Sequence, residues 1–471
     1  MSTKRPHLLL ITTDQQRGDA LGIAGNPVLS TPHLDHLAAS GAYFPAAYSE
    51  CPSCIPARRT IISGQTPAHQ GMVGYMDGVE WECDRTLPGE LGRAGYHTAL
   101  VGKLHLWPKR KRYGFDQLIL ADDMNHENDY TAWLRQQGYN APYYGEAHGM
   151  ASNAWTARPS HLPEAHAHTT WCVDQALRFL EHRDPTQPFF LHISFVAPHP
   201  PLTPPEFYYN RYMAMDLPEP VVGDWAPEVD GEKRGQDPNA SRIKLDKAAM
   251  QRCRAGYYGL VNFIDDQVNR LLLGLRQLKL LKDTFILFTS DHGEMLGDHN
   301  MFRKTYAYEG SARVPFIVKA PRWMGLREGV TLEQAVGLQD VMPTLLDAAG
   351  LPIPDTVDGR SVLSLLRDEH APWRDFIHGE HSACYTKEDA MQYLTDGKEK
   401  YIWYTQTGRE QFFVLSNDPN ECHDRINDPA FAQRVALWRQ RMIHTLQDRP
   451  EGFSDGKQLI TGRPHHHLLS Q

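Results

Sequence analysis

The chain of 471 residues alternates short apolar runs with longer helical patterns along most of its length. This alternation is typical of a mostly parallel sheet that is covered by helices on both faces and joined by right-handed crossovers. The runs that predict buried strands are HLLLITTD (7–14), HTALVGK (97–103), FFLHISFVAPH (189–199), TFILFTSDH (284–292) and VPFIVKA (314–320). Helices are predicted over residues 33–41, about 169–182, about 248–280 and 339–349. The predicted fold class is therefore α/β, with a large, mostly parallel sheet sandwiched by helices.

Two segments interrupt this rhythm. Residues 121–168 are rich in His, Asn, Tyr and Gly, and residues 198–245 carry many Pro and acidic residues without periodicity. Both are predicted to be long surface excursions, which on an α/β scaffold often cover a site but are nearly as often plain surface irregularity. Tyr143, Tyr144 and Trp155 either stack on a substrate ring or simply pack the first of these loops.

After about residue 370 the pattern changes to strand-like pieces with two glycine turns, DGKE and TGRE, followed by a helix around 428–447. Glycine turns between short strands favour an antiparallel sheet. We therefore predict a catalytic domain over 1–370 and a small C-terminal domain over 371–471, built from an antiparallel sheet with a helix.

Charge and cysteine content narrow the functional classes. The net charge of −9 argues against a nucleic-acid or anionic-membrane partner, and no run of about 18 apolar residues is present to span a membrane. The start, MSTKRPHLLLITTDQQ, turns polar too soon for a signal peptide, so we expect a cytoplasmic protein with free thiols. Cys51 and Cys54 form a Cys-x-x-Cys pair, but no second pair follows at zinc spacing, which disfavours a redox or zinc site.

Three polar side chains follow predicted strands. Asp14 ends the first strand, and Asp291 and His292 end the fourth. Ligands of open α/β sheets bind at the carboxyl ends of the strands, so we expect these side chains to gather at one edge. Asp14 alone would as often be a helix cap or turn residue. The pair Asp291 and His292 is the stronger indication of a metal site.

The stretch Cys54-Ile55-Pro56-Ala57-Arg58 precedes a helical pattern. A thiol at the start of a helix meets the positive end of the backbone dipole, which favours an anion there, and Arg58 adds a positive group one turn along. The alternative is that Cys54 is a small buried hydrophobe before a turn. The pattern makes Cys54 the candidate nucleophile.

With its flanks, TPHLDHLAASGAYFPAAYSE and TIISGQTPAHQG, this motif resembles that of the sulfatases of the alkaline phosphatase superfamily. In that family the Cys of Cys-x-Pro-Ser/Ala-Arg is oxidised to formylglycine, whose hydrated aldehyde is the nucleophile. The resemblance implies an alkaline phosphatase-like fold, a formylglycine at position 54 and a transient partner, the formylglycine-generating enzyme. His69 also matches a family position and is predicted to be structural. QFFVLSNDPNECHDR resembles a segment of the family's small C-terminal domain.

The same resemblance implies one divalent cation, bound by Asp14, Asp291, His292 and residue 54. Gln15 stands where many sulfatases carry a second Asp, and it completes the predicted ligand set. Oxygen-rich ligation favours Ca²⁺, while Mg²⁺ and Mn²⁺ remain alternatives and the imidazole keeps Mn²⁺ plausible.

Four further residues are catalytic candidates. Lys103 and His105 follow the strand HTALV. The alternative without a catalytic role is a solvated Lys beside a His that caps the end of the strand. His199 lies in Ala-Pro-His-Pro-Pro, where prolines on both sides hold it as a positioned acid or base requires. Lys304, before YAYEGSARVPF, matches the family's second sulfate-binding lysine, although Arg303 is its neighbour.

These parts imply hydrolysis of a sulfate monoester, of the aryl or carbohydrate type, to an alcohol and inorganic sulfate. The cation and Arg58 would stabilise the nucleophile, and Lys103 and Lys304 would hold the sulfate. His199 would protonate the departing alcohol, and His105 would take a proton from the second hydroxyl of formylglycine so that sulfate leaves.

Two other functions compete with this one. The phosphonate monoester and phosphodiester hydrolases of the superfamily share much of the pattern, but carry Tyr and Thr where this chain has Lys103 and His105. A non-catalytic metal-binding protein with an unmodified Cys54 is the rival from a different class. The alcohol is not readable from the motifs, and a homo-oligomer is compatible with the sequence.

Overall fold

The computed structural model describes residues 4–122, 128–139, 149–229 and 237–469 of the chain. Within these ranges, eight strands form one large sheet. From one edge to the other they are β5 (Gln117–Leu120), β4 (His97–Gly102), β6 (Phe189–Pro198), β1 (His7–Asp14), β7 (Thr284–Ser290), β8 (Phe316–Lys319), β2 (Ala42–Tyr43) and β9 (Val330–Thr331). A separate short pair joins β3 (Ala47–Tyr48) to β10 (Val336–Gly337) in parallel.

The strands from β5 to β7 all run parallel, so their carboxyl ends open at a single edge of the sheet. β8 is antiparallel to both of its neighbours, β7 and β2, and β9 pairs in parallel with β2. The register between β1 and β6 shifts between Thr12 and Asp14, just before the edge. The large, mostly parallel sheet confirms the predicted fold class.

Helices cover both faces of the sheet. In the described ranges they are α1 (Pro32–Ala39), α2 (Cys54–Ser63), α3 (Pro67–Gln70), α4 (Leu87–Arg93), α5 (Asp129–Gln136), α6 (His168–His182), α7 (Glu206–Met213), α8 (Lys247–Gln277), α9 (Glu309–Ala312), α10 (Val341–Ala348), α11 (Leu363–Arg367) and α12 (Ala432–Thr445). Short 3₁₀ turns lie at Glu164–His166, Leu281–Asp283, Asp298–Asn300, Arg322–Met324, Leu338–Asp340, Lys387–Asp389 and Pro429–Phe431. Alternate residues of β1 point to opposite faces. Leu9 and Ile11 share a core with α1, α6 and α8, whereas Leu8 and Leu10 share one with α2, α4, α10 and α11.

The long helix α8 shows why the sequence folds this way. The Asp246 side chain caps its start by accepting from the Ala249 N–H. All residues of 253–265 are buried, so the middle of the helix is enclosed on every side, and beyond it burial narrows to one apolar stripe that includes Val268, Leu271 and Leu275. Neither α8 nor any other helix in the described ranges combines the length and apolar character that crossing a membrane requires.

The two predicted excursions contain more regular structure than we expected. α5 lies in the first, where the Asn128 side chain accepts from the Thr131 N–H and caps the helix. α7 lies in the second and buries Tyr208, Tyr209 and Tyr212. The buried face of α7 consists of tyrosines that lie among prolines and acidic residues, so the sequence shows no clear helical pattern of apolar residues there. Of the predicted ring-stacking residues, Trp155 is buried in the core, and Tyr143 and Tyr144 lie outside the described residues.

The described residues of the C-terminal part form a four-stranded antiparallel sheet. Its strands, in order, are β11 (Ile377–His381), β12 (Met391–Thr395), β13 (Lys400–Tyr404) and β14 (Glu410–Phe413). Helix α12 packs Trp438 and Met442 against one face of this sheet, as predicted. Lys400 of β13, fully buried, bonds to Glu309 at 2.7 Å and to Glu421 at 2.9 Å, which ties the small sheet to the short helix α9 that precedes β8. The boundary at residue 370 stays a prediction.

Gly102, the last residue of β4, provides a test of the close strand packing that positions Lys103. Its φ is 112°, and a Cβ there would lie 1.9 Å from the Ser194 carbonyl oxygen of β6. We expect Gly102→Ala to lower the free energy of unfolding by about 3 kcal/mol or more, because backbone must move. Gly95→Ala is the control, since its φ is 90° but no atom lies within 4 Å of the added Cβ, so it should cost only about 1 kcal/mol. Thermal unfolding midpoints compare the two variants, and equal shifts would contradict the expectation.

Candidate active site

The loop behind β1 brings two carboxylates together at the sheet edge. The chain turns after Asp14 because Gln15 adopts a left-handed backbone conformation, with φ 70°. The Gln15 N–H donates to Oδ1 of Asp291 over 3.1 Å, and the Tyr257 hydroxyl donates to the Gln15 carbonyl oxygen over 2.7 Å. Asp14 and Asp291 are both completely buried. Two neighbouring parallel strands thus deliver their terminal carboxylates to one place.

Cys54 is the first residue of α2, and Ser53 before it is extended. The Cys54 Sγ lies 3.2 Å from Nε2 of His292 and 3.7 Å from Oδ1 of Asp14. Because all of α2 is buried, water screens the positive end of the helix dipole only weakly. The N-terminus of α2 therefore favours a negatively charged group on residue 54.

The donor atoms of Asp14, Cys54, Asp291 and His292 all lie within 4.8 Å of one another. Nδ1 of His292 lies 2.9 Å from the Gly293 carbonyl oxygen and must carry the proton to donate to it. Nε2 then points a lone pair at Oδ1 of Asp14 (3.5 Å) and of Asp291 (3.6 Å), and burial lowers the pKa of His292, which keeps the ring neutral. A lone pair that faces two carboxylates is unfavourable unless a cation lies between them. The donor set therefore fits one divalent cation.

Two buried cations neutralise the same carboxylates. Nη2 of Arg58 lies 2.9 Å from Oδ2 of Asp291, and Nζ of Lys103 lies 2.5 Å from Oδ2 of Asp14. Nη1 of Arg58 also donates to the Lys103 carbonyl oxygen over 2.8 Å and to the Ser194 hydroxyl over 2.9 Å. Burial raises the pKa of Asp14, but the nearby positive charges, Lys103 foremost, outweigh it and hold the pKa well below its usual value. Asp14 is therefore ionised and able to bind a cation.

A second chain of polar contacts runs through Lys304. Its Nζ donates to Oε1 of Gln15 over 2.7 Å and lies 2.8 Å from Nε2 of His199. Nδ1 of His199 lies 2.7 Å from the Pro200 carbonyl oxygen, so the ring donates there and Nε2 accepts from the lysine. The Gln15 amide nitrogen in turn donates to Glu294. The side chain of Gln15 is thus engaged by Lys304 and Glu294, and its assignment as a cation ligand stays a prediction.

His105 belongs to a third group. Its Nε2 lies 3.3 Å from Oδ1 of Asp77, and the Tyr75 hydroxyl donates to the other oxygen of that carboxylate over 2.5 Å. Burial and the charge of Lys103 lower the pKa of His105, but hydrogen bonds to Asp77 and Cys54 outweigh them and raise it to about 9. Asp77 therefore orients the ring and stabilises its protonated form.

A cavity of about 270 Å³ opens beside these groups. Five of the residues predicted from the sequence line it: Cys54, Lys103, His105, His199 and Lys304. Cys54 belongs both to the buried donor cluster and to the cavity wall. The structure therefore brings a nucleophile position, two ammonium groups and two imidazoles to one small space.

Sequence reasoning missed other residues of the cavity wall. Tyr75 and Asp77 come from the chain beyond α3, Arg303 stands beside the predicted Lys304, and Cys384 and Tyr385 come from the segment after β11. Only Arg303 had a sequence signal, as the rival of Lys304. The C-terminal residues reach the cavity through tertiary packing, for which the sequence carries no local pattern.

Two other candidates do not join this site. Cys51 is buried and, like the other six cysteines, unpaired, and burial raises the pKa of its thiol. A buried thiol with a raised pKa is a weak nucleophile. His69 pairs with Asp358 at 3.0 Å at the surface, which agrees with a structural role.

Known proteins resemble the chain over nearly all of its length. The family model described as Sulfatase matches residues 6–351, and that of the N-sulphoglucosamine sulphohydrolase C-terminal region matches residues 297–448. The arylsulfatase of Clostridium perfringens (strain 13 / Type A) is 42% identical over 477 aligned residues, which cover 98% of each chain. The choline-sulfatase of Rhizobium meliloti (strain 1021) is 29% identical over 91% of this chain and 84% of its own. The crystal structure of the phosphonate monoester hydrolase of Agrobacterium radiobacter superposes with a TM-score of 0.78 at 25% identity, covering 98% of this chain and 100% of that one.

These matches confirm the resemblance that the motif around Cys54 predicts. They also agree with the observed architecture, a large mixed sheet followed by a small antiparallel one. The chain belongs to the sulfatase family and is a sulfuric ester hydrolase.

Proposed function

We propose that this sulfatase hydrolyses the sulfate monoester of a small ring-bearing alcohol, of the aryl or carbohydrate type, through a formylglycine formed from Cys54. The position of Cys54 supports this best, because the residue belongs to the buried donor cluster and also lines the cavity. Sulfatases generally use a formylglycine and a divalent cation. A nucleophile at position 54 would lie next to the cation and face the substrate.

Lys103 and Lys304 would bind the sulfate oxygens, because both ammonium groups line the cavity beside Cys54. A sulfate ester carries its negative charge on oxygens around a tetrahedral centre, and positioned cations stabilise the further charge of the transition state. Arg58 would act from behind the nucleophile, since its guanidinium is anchored to Asp291 and Ser194. Its fixed position adds positive charge beside residue 54.

The cation would be held by Asp14, Asp291, His292 and residue 54, with Gln15 as the remaining candidate. When bound, it would lower the pKa of the nucleophilic hydroxyl and withdraw charge from the sulfate. Ca²⁺ is our first choice, because carboxylate oxygens dominate the donor set, and Mg²⁺ and Mn²⁺ are the alternatives.

The remaining residues would move protons. Asp291 would accept the proton of the attacking hydroxyl, because its carboxylate belongs to the same cluster as residue 54. Lys304 and His199, 2.8 Å apart, would share the proton given to the departing alcohol oxygen. Release of sulfate requires loss of the proton on the second hydroxyl of residue 54, and the neutral form of His105, oriented by Asp77, would accept it. Because the pKa of His105 is raised to about 9, this step should become faster as the pH rises toward that value. A residue with a single hydroxyl has no such proton to give.

The second candidate function is phosphonate monoester or phosphodiester hydrolysis. The structural similarity to the Agrobacterium radiobacter enzyme supports it, because the charge-stabilising groups serve both kinds of ester. Lys103 and His105 favour sulfate, since the phosphonate hydrolases that the sequence resembles carry Tyr and Thr there.

A direct comparison of 4-nitrophenyl sulfate with a 4-nitrophenyl phosphonate monoester tests the choice. The protein is co-expressed with a formylglycine-generating enzyme and supplied with Ca²⁺ or Mn²⁺. We expect the kcat/KM for sulfate to exceed that for phosphonate by about tenfold or more. The double variant Lys103→Tyr/His105→Thr should lower this sulfate-to-phosphonate ratio. If the wild-type protein prefers the phosphonate ester, the proposal of sulfate hydrolysis is wrong and the second candidate function takes its place.

Two proposals concern the cellular setting. The formylglycine-generating enzyme would be a transient partner that acts on the segment around Cys54 before α2 is buried, and a homo-oligomer is compatible with the fold. The unpaired state of all seven cysteines supports a reducing, cytoplasmic location.

A further inference from the structure

Part of the cavity wall has no role in the chemistry proposed above. Arg303, Tyr75 and Tyr385 line the same space as the two lysines, yet none of them is assigned to the nucleophile, the cation or a proton. An alcohol attached to the bound sulfate must occupy that part of the cavity. Together with Ser53, Asn153, Thr305 and Cys384, these side chains form the part of the wall that is open to the alcohol.

The two residues on either side of Lys304 have a left-handed backbone conformation. Arg303 has φ 71° and Thr305 has φ 77°, and neither is glycine. Such left-handed conformations are costly and concentrate at functional sites. Both residues and Lys304 between them line the cavity. Three successive residues of this strained segment therefore line the space that one ligand would occupy.

The positive charge of Arg303 has no ion-pair partner among the described residues. One of its nitrogens donates to the Asn239 carbonyl oxygen, its Cζ lies 5.6 Å from the centre of the Tyr385 ring, and its Nε is buried without a hydrogen-bond partner. Among the described residues, no carboxylate lies within ion-pair distance of the Arg303 guanidinium. By contrast, the Asp77 carboxylate already receives bonds from Tyr75 and His105. Among the described residues of the cavity wall, Arg303 therefore adds a positive charge without an ion-pair partner to those of the two proposed sulfate-binding lysines.

The size and the walls of the cavity limit the rest of the alcohol. The volume of about 270 Å³ lies just below the usual range of ligand pockets, roughly 300–1,000 Å³, which suits a sulfate group with one ring. Tyr75 and Tyr385 provide aromatic surfaces on which a planar ring packs. A long, flexible alcohol would gain little from these walls.

We propose that Arg303 is a specificity-determining residue, and that the preferred substrate is a sulfate ester of a single ring that carries a second anionic group. The guanidinium donates to that group while Tyr75 and Tyr385 pack against the ring. A carboxylate and a second sulfate share this chemistry, since both accept the paired N–H bonds of an arginine. The inference rests on the proposed function for the position of the sulfate.

The test uses substrates that differ in one charge. The 3- and 4-carboxyphenyl sulfates are compared with the corresponding carbamoylphenyl sulfates, which have the same shape but are neutral. The carboxamide makes the phenol the better leaving group, so chemistry alone favours the neutral ester. We expect the wild-type kcat/KM to favour at least one carboxylate isomer by about tenfold, as charge-assisted hydrogen bonds do.

Variants assign the preference to Arg303. Arg303→Met should reduce the carboxylate-to-carboxamide ratio to about one, and Arg303→Lys should leave an intermediate ratio, because it keeps the charge but loses the fork. Arg85→Met, which removes an exposed arginine that pairs with Glu90, is the matched control and should keep the wild-type ratio. A wild-type ratio near one, or a ratio that Arg303→Met leaves intact, would overturn the proposal. The second result would mean that Arg303 acts on the sulfate of every ester alike.

Two further arms separate the remaining questions. A pair with a second sulfate in place of the carboxylate identifies which anionic group gives the larger ratio, and either preference supports the role of Arg303. The first pair is also prepared as aryl phosphonate monoesters. If only phosphonates react, the proposed function fails, while the ratio measured on phosphonates still decides the role of Arg303.

Discussion

Replacement of Cys54 by serine is expected to stop turnover after a single sulfate transfer. The steady-state rate should fall on the order of 10⁴-fold or more, as it does when a catalytic nucleophile is removed. Formylglycine hydrate has two hydroxyls, so one forms the sulfate ester and the other, once deprotonated, expels sulfate. Serine has one hydroxyl, which is consumed in the first step.

The geometry around Cys54 distinguishes two variants. A serine Oγ at this position would keep its place next to His292 and Asp14, so attack on sulfur is expected but release is not. Cys54→Ala lacks the attacking atom and should form no ester at all. Intact-mass measurement after incubation with 4-nitrophenyl sulfate should show one added sulfo group on Cys54→Ser and none on Cys54→Ala.

Cys83→Ser is the matched control for these variants. Cys83 is partly exposed and lies outside the cavity and the donor cluster, so its replacement should leave the rate unchanged. Full multiple-turnover activity in Cys54→Ala would rule out position 54 as the source of the nucleophile.

The gathering of the predicted cation-binding side chains at the sheet edge was predictable because it follows from topology. Apolar runs identify β1 and β7, and parallel strands of an α/β sheet must end at the same edge. Asp14 and Asp291 therefore meet whatever the loops do. The same reasoning does not reach the side chain of Gln15. Its contacts depend on Lys304 and Glu294, which the chain brings near it only in three dimensions.

The wall that meets the alcohol could not be predicted for a related reason. Tyr385 follows β11 of the small sheet, and it reaches the cavity because that sheet packs on the segment after β3, where the Tyr393 hydroxyl donates to the Ser49 carbonyl oxygen over 2.8 Å. No hydrophobic period or short motif encodes a contact between residues so far apart in the chain. The residues proposed to set substrate specificity are thus brought together by tertiary packing. The residues proposed for sulfate ester hydrolysis instead follow strand ends or belong to the motif around Cys54.

Removal of the divalent cation is expected to abolish activity and to lower the stability of the protein. Without it, the lone pair of His292 faces Asp14 and Asp291 directly, and the transition state loses its largest local charge. We expect the rate to fall on the order of 10³-fold after chelation. Re-addition of Ca²⁺, Mg²⁺ or Mn²⁺ to separate samples then identifies the ion by the recovered rate.

The thermal unfolding midpoint provides a readout that does not depend on catalysis. A cation present at 100 times its dissociation constant stabilises the folded state by about 2.7 kcal/mol, so the midpoint of chelated wild-type protein should rise when the ion returns. Asp291→Asn should lose this response. Its absolute midpoint is a poor measure, because Arg58 also loses its buried partner, 2.9 Å away, and a broken buried pair costs about 3–5 kcal/mol by itself.

The response to the ion, rather than the midpoint, therefore separates ligand loss from ion-pair loss. Asp266→Asn is the control, because Asp266 belongs to a second, partly exposed group with His33 and Asp265 and should keep the full response. A chelated wild-type protein that retains its rate, or an Asp291→Asn protein that is still stabilised by the ion, would place the cation elsewhere. Loss of the response in Asp291→Asn alone would tie the stabilising ion to the cluster that contains the nucleophile.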